Sequence, residues 1–278
     1  MRRFIWIGLM VLALSACSTR MLYNWLDWLI PWEVSDYVTL TPAQERQLDS
    51  LVAKALAWHK AEELPRYVDH LESLNGEVAR PMTAEQVRAH FDRSHAHWDR
   101  LFTELIPMMV PFIQSFSDAQ VNELLAEARK QERERREEYA SLTEEERVEK
   151  ANERIEKSIR KQIGPLTSEQ KAIIDRYNRD RNQTLEQWLA YRNIWLAQLR
   201  DALLMRADTE QLTAALHRLL VSPDTLKSEQ YLTLIEENRQ SFALGMARIQ
   251  QSMTSRQRQK LHTALGKLQS DFDALAKG

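Results

Sequence analysis

The chain has 278 residues, a formal net charge of −2, 28% charged residues, six glycines and a single cysteine, Cys17. This balance leaves no basic footprint for nucleic acid, one cysteine excludes an intramolecular disulfide, and scarce glycine leaves little material for phosphate-cradling loops. Ala, Leu, Glu, Gln and Arg, all strong helix formers, dominate and predict an all-α fold.

The first segment combines Arg2 and Arg3, an apolar run from Phe4 to Leu14, and small residues before Cys17. That order predicts a secretory signal over residues 1–16. The run is too short to cross a bilayer, which takes about 20 apolar residues. Leu14-Ser15-Ala16-Cys17 resembles the lipobox of bacterial lipoproteins. The resemblance implies cleavage before Cys17, which becomes the acyl acceptor and links the protein to the membrane through its acyl chains. Each buried CH₂ contributes about 0.8 kcal/mol, so more than one chain gives stable anchoring. Ser18 stands where aspartate commonly retains such proteins in the inner membrane, which favours the outer membrane with the body facing the periplasm.

Residues 17–38 form the anchor and a tryptophan-rich segment containing Trp25, Trp28 and Trp32 among Leu22, Leu26 and Leu29. Tryptophan is at home where acyl tails meet headgroups, which makes the three indoles membrane-interface candidates. The competing reading is that they close the core of the helical body. Pro31, which limits a helix, and Asp27 and Glu33, which would face headgroups, weigh toward the core.

Residues 39–278 read as one helical periplasmic domain punctuated by six capping boxes. These begin at Thr41, Thr83, Ser117, Thr143, Thr167 and Thr254, each followed three residues later by Gln or Glu. The hydroxyl accepts from the later backbone N–H while the longer side chain reaches back to the first. Irregular spacing excludes a solenoid of fixed period. A short helix is predicted around Leu22–Ile30, then helices near 42–60, 62–78, 83–105, 117–140, 144–162, 167–206, 209–221, 224–251 and 255–275. Breaks are predicted at Pro65, Gly76 to Pro81, Pro107 to Pro111, Gly164-Pro165 and Ser222-Pro223. The sum is an irregular bundle of about nine or ten helices, in one bundle or two lobes.

Within the segments, Leu234, Ile235, Asn238, Phe242, Gly245 and Ile249 form one stripe. Leu185, Leu189, Leu196, Leu199 and Leu203 form another, flanked by Trp188, Tyr191 and Trp195, and both read as core. Residues 129–138, RKQERERREE, hold no apolar side chain and read as a solvated helix face, with a charged partner-binding stalk as the functional alternative.

The densest titratable cluster is His90, Asp92, His95, His97 and Asp99. Asp92 and His95 are one turn apart, His95 and Asp99 share a helical face, and His90 and His97 lie two turns apart on one side, which makes His90, His95 and Asp99 weak candidates for a metal site. A structural zinc site needs four firm ligands and no cysteine is available, so surface histidines beside aspartates are the plainer reading and no metal or other cofactor is expected. No Gly-x-Ser-x-Gly elbow is present and nothing singles out a catalytic pair of carboxylates, so no catalytic residue is assigned.

The Leu22–Leu29 run, Asp36-Tyr37-Val38 to Gln44, Trp58-His59 with Glu63-Leu64-Pro65-Arg66-Tyr67, and the caps through Met253–Gln257 resemble an uncharacterised proteobacterial outer-membrane lipoprotein family. That resemblance implies an envelope location and an all-helical body, and transfers no activity. A partial likeness to the periplasmic stress chaperones Spy and CpxP lies in their Leu-Thr-x-x-Gln motif, matched by Leu40–Gln44 and Leu166–Gln170. Together these imply a non-enzymatic role, binding other envelope proteins in assembly, quality control or stress. An enzyme acting on the cell wall or lipid, or a His-based metal-binding module, is the alternative.

Overall fold

A computed structural model describes residues 19–278. Among them the chain is all-α, in the order α1 (Thr19–Tyr23), α2 (Leu26–Ser35), α3 (Pro42–Trp58), a π-helical turn (His59–Glu63), α4 (Leu64–Glu77), α5 (Ala84–Gln114), α6 (Asp118–Ala140), α7 (Glu144–Ile163), α8 (Ser168–Asp180), α9 (Leu185–Leu204), α10 (Thr209–Leu220), a 3₁₀ turn (Pro223–Leu226), α11 (Glu229–Gln251) and α12 (Ser255–Lys277). No described helix is long and apolar enough to cross a membrane.

All six capping boxes form, and each opens a helix. Asp208 and Ser228 add two further N-caps, with side chains accepting from Gln211 N and Tyr231 N. Chain reversals fall where Gly164-Pro165 and Ser222-Pro223 predict them. Gly164 takes φ 90°, in the left-handed region where a side chain is strained.

Three predicted boundaries are corrected. Pro65 does not end a helix. The π turn before it carries the Leu64 N–H to His59 O, five residues back, so the chain enters α4 with Pro65 in its first turn, where no N–H is needed. Pro107 and Pro111 lie inside α5, where the Ile106, Val110, Phe112 and Ile113 side chains are buried in the main core and hold the segment helical. The expected helix over 167–206 is two, because Arg181 turns to an extended conformation. Asn238 of α11 occupies the gap, accepting from Asn182 N at 2.8 Å and donating to Asn182 O at 3.0 Å.

Among the described residues the core comprises three clusters. The largest joins Val38, Leu48, Val52, Ile106, Val110, Phe116, Val121, Leu125, Leu203, Leu212 and Leu216, from α3, α5, α6, α9 and α10. A second joins Tyr23, Leu64, Phe272 and Leu275, bringing the start and end of the described chain together against α4. The third joins Ile159, Ile163, Ile174 and Ile249, from α7, α8 and α11. Ile249 and Leu203 therefore take the core roles expected of their stripes. On α11 much of the remaining buried face is small, Ala243 and Ala247.

Candidate functional site

The N-terminal arm, α1 and α2, has two faces of opposite character. Tyr23 and Leu26 pack on the α4–α12 cluster, and Ile30 and Val34 on the main core. Arg20 pairs with Asp271 at 2.9 Å, and the Tyr23 hydroxyl bonds His59 Nδ1 at 2.9 Å. The other face carries Met21, Trp25, Trp28 and Trp32 at helical spacing, with relative exposures of 50%, 50%, 61% and 44%. Trp28 and Trp32 stack with centroids 6.1 Å apart. The expectation that these indoles close the core is corrected: Leu26, Ile30 and Val34 occupy that position, and a helix cannot turn both stripes inward. Glu33 is buried, so the objection that it would meet headgroups also falls. Pro31 sits within α2 without ending it. Cys17 lies outside the described residues, two positions before Thr19.

Four of the capping boxes interlock in pairs. Gln44 Nε2 donates to Gln120 Oε1 at 3.1 Å and Gln120 Nε2 returns a bond to Gln44 Oε1 at 2.7 Å. Each Oε1 also accepts its own cap N–H, from Thr41 and Ser117, and the spare amide hydrogens reach Ser115 O and Thr39 O. The same arrangement recurs between Gln170 and Gln257, with amide bonds of 3.1 and 2.9 Å and Pro165 O as the extra acceptor. The repeated motif is thus a tertiary fastener as well as a cap, joining the starts of α3 to α6 and of α8 to α12.

The third construction is a row of imidazoles between α4 and α5. His97 Nε2 lies 3.2 Å from His70 Nδ1, His70 Nε2 lies 3.0 Å from His90 Nδ1, and His90 Nε2 lies 3.4 Å from Glu77 Oε2. At the other end Arg100 Nη2 lies 2.6 Å from His97 Nδ1. A guanidinium only donates, so His97 Nδ1 must accept and its proton sits on Nε2. The same logic passes along the row: His97 and His70, as neutral rings, each donate from Nε2 into the next Nδ1, and His90 Nε2 at the end faces Glu77 Oε2. Burial and the nearby Arg93 depress His70 to about 4, and burial with Arg100 likewise lowers His97.

Glu63, 1% exposed, closes the inner end. Its Oε1 accepts from Arg100 Nε at 2.9 Å, while Oε2 lies 3.4 Å from His97 Nδ1 and accepts no hydrogen bond. The π turn puts His59 alongside, 3.3 Å from the Tyr67 hydroxyl and lowered to about 4, chiefly by burial. Tyr67 presses edge-on against His97 with centroids 4.7 Å apart. Hydrogen bonds thus run from Tyr23 in the arm through His59 to Tyr67, whose ring meets the imidazoles edge-on.

The weak metal candidates do not converge. His90 turns inward to His70, His95 is exposed with Nδ1 against Phe91 O, and Asp99 receives the Thr103 hydroxyl through its backbone carbonyl. Among the described residues no group of three or more His, Cys, Asp or Glu side chains is arranged to hold a metal ion. Sequence reasoning missed His70 and Glu63, which lie in separate segments from the histidine cluster. The charged stretch is also only partly a solvated face: Glu132 is buried and pairs with buried Arg192 at 3.2 Å, and that guanidinium lies 4.7 Å over the Trp195 ring.

A family model for a family of unknown function (DUF6279) matches residues 36–232, more than half of the chain. The chain belongs to this family. The DUF6279 match includes the histidine row, the π turn, Gln44, Gln120 and the Glu132–Arg192 pair; Trp25, Trp28, Trp32 and Gln257 lie outside it. No curated protein and no solved structure matches the chain.

Proposed function

We propose that this DUF6279 member is a lipoprotein of the outer membrane, anchored through acyl chains on Cys17 with its helical body in the periplasm, where it binds other envelope proteins without catalysing a reaction. The observation that carries the membrane reading is the exposed row of Met21, Trp25, Trp28 and Trp32. The two residue steps from Cys17 to Thr19 reach at most about 7 Å, so an acylated Cys17 holds α1 at the headgroup layer. Indoles at that depth contribute both apolar burial and polar contact. The arm's opposite face is bonded to the body, so contact through the indoles would orient the whole bundle.

The protein-binding reading rests on Phe91 and Trp98 of α5, exposed large aromatics on the body, and on the partial Leu-Thr-x-x-Gln likeness to Spy and CpxP, which suits an assembly, quality-control or stress role. Isolated Cys17→Ser protein should leave membranes on a carbonate wash while the acylated chain stays; retention of the variant would refute the anchor. Brominated lipids should quench the tryptophan emission of the acylated chain, and an unchanged spectrum would refute the indole contact. Photo-crosslinking in cells from Trp98 and Gln183 should give adducts with envelope proteins, and no adduct from either position would refute the binding role.

A further inference from the structure

We propose that the contact between α4 and α5 is an acid-opened joint, held shut by the neutral row His97–His70–His90 and parted when those imidazoles take up protons. The inference does not depend on the anchoring or binding roles proposed above. It starts from what the joint lacks. The apolar side chains of α4, Leu64, Val68 and Leu71, go to the cluster with α12, and the buried apolar residues of α5 lie in its second half, in the main core. Between the first half of α5 and α4 the buried contacts are the imidazoles, Tyr67 and the Arg100–Glu63 pair.

The row has a direction, and this decides what a proton does. Every Nδ1 is already an acceptor: of Arg100 at His97, of His97 at His70, and of His70 at His90. A proton added at His70 or His90 sets N–H against N–H across 3.2 or 3.0 Å, so that contact must part. Only His97 has an alternative. Its Nδ1 can lose Arg100 and donate to Glu63 Oε2, the buried oxygen that accepts nothing in the neutral state. A proton at His97 therefore has a prepared place, whereas one at His70 or His90 breaks the row.

The surrounding charges act in the same sense. From α5, Arg93 and Arg100 face the row as fixed cations; from α4, Glu77 caps the outer end; from the π turn come Glu63 and His59, and Arg66 sits 3.7 Å from Glu63. Tyr67 of α4 and, beyond it, Phe272 of α12 complete the wall. Added positive charge next to two guanidiniums is repelled across the joint, and neither the main core nor the α4–α12 cluster spans it. Burial keeps His59, His70 and His97 neutral at pH 7, so opening belongs below the ordinary imidazole range.

The test is nitrogen NMR of the full chain, ¹⁵N-labelled at histidine and held in detergent micelles, with amide-exchange protection factors followed from pH 7.5 to pH 3.5. At pH 7.5 His70 and His97 are expected as neutral Nε2–H tautomers, with His90 Nδ1 accepting from His70. On acidification, protection in residues 64–77 and 84–97 should fall reversibly by at least tenfold while that of α9 and α10 holds. An Nδ1–H or charged form of any of the three at pH 7.5, constant protection down to pH 4, or an equal loss in every helix would overturn the proposal. In a second arm, His70→Phe should remove the local pH response, and an unchanged response would overturn the role given to His70.

Discussion

Gln170 with Gln257, and His70 with His90 and His97, are both buried networks of polar side chains joining helices far apart in sequence, and they differ in one respect. In the glutamine pair each amide oxygen accepts two hydrogen bonds, each amide nitrogen donates to the other glutamine and the spare donor of Gln257 reaches Pro165 O, so every amide nitrogen and oxygen has a partner and nothing titrates. The imidazole row is equally continuous but ends beside an oxygen of Glu63 that accepts nothing. The closed network can only be broken by removing a member; the open one also by a proton. A satisfied network of neutral amides strengthens a junction under all conditions, whereas a titratable one makes it conditional.

The largest effects are expected from breaking the closed networks. Gln170→Leu removes a fully buried amide, strands the Thr167 N–H and leaves Gln257 without its partner, so urea denaturation should show a loss of about 3 kcal/mol. A loss under about 1 kcal/mol would mean that the α8–α12 junction is held by apolar packing alone. Glu132→Leu, on the α6–α9 contact, leaves Arg192 buried and unpaired, and by the same measurement should cost about 3 kcal/mol.

Acid should separate the two networks next. A histidine whose folded pKa lies below its unfolded one binds fewer protons when folded, so stability rises with pH between the two values. His59 and His70, both near 4 against an ordinary 6.5, should make the chain less stable on descending from pH 6.5 to pH 4, at up to about 1.4 kcal/mol per pH unit for each imidazole. Urea midpoints across that range test this, and a His59→Phe, His70→Phe double variant should show a flatter profile. Midpoints that rise on acidification would contradict the buried neutral state.

Smaller effects test the role of pairing itself. Thr83 heads a box whose Gln86 has no partner box and reaches only Glu77, so Thr83→Ala should cost the cap alone, about 1 kcal/mol. Thr167→Ala, at a paired box, should cost more. Trp28→Ser should change stability by no more than about 0.5 kcal/mol, since the indole is exposed, while reducing quenching by brominated lipids.

Much of the helical frame was legible because its signals are local. Each capping box needs only residues three apart, and all six open a helix where the spacing predicts one. Where proline predicts a stop, at Pro65, Pro107 and Pro111, distant packing and a π turn carry the helix through. Conversely, no glycine or proline near Arg181 announces a break; Asn238, far along the chain, holds it open.

The candidate site was legible only in part for the same reason. Trp25, Trp28 and Trp32 are conspicuous in sequence, but which face of α2 they take depends on what the body offers to Leu26, Ile30 and Val34. His90 and His97 drew attention as neighbours of His95 and Asp99, yet their partner is His70, on another helix. Composition, caps and periodicity determined that the chain is all-helical and where most helices begin, because those depend on backbone bonds within one turn. The pairing of glutamines, the burial of Glu132 with Arg192 and the direction of the imidazole row were decided by tertiary structure, because a buried polar group takes its partner from whichever helix is packed against it.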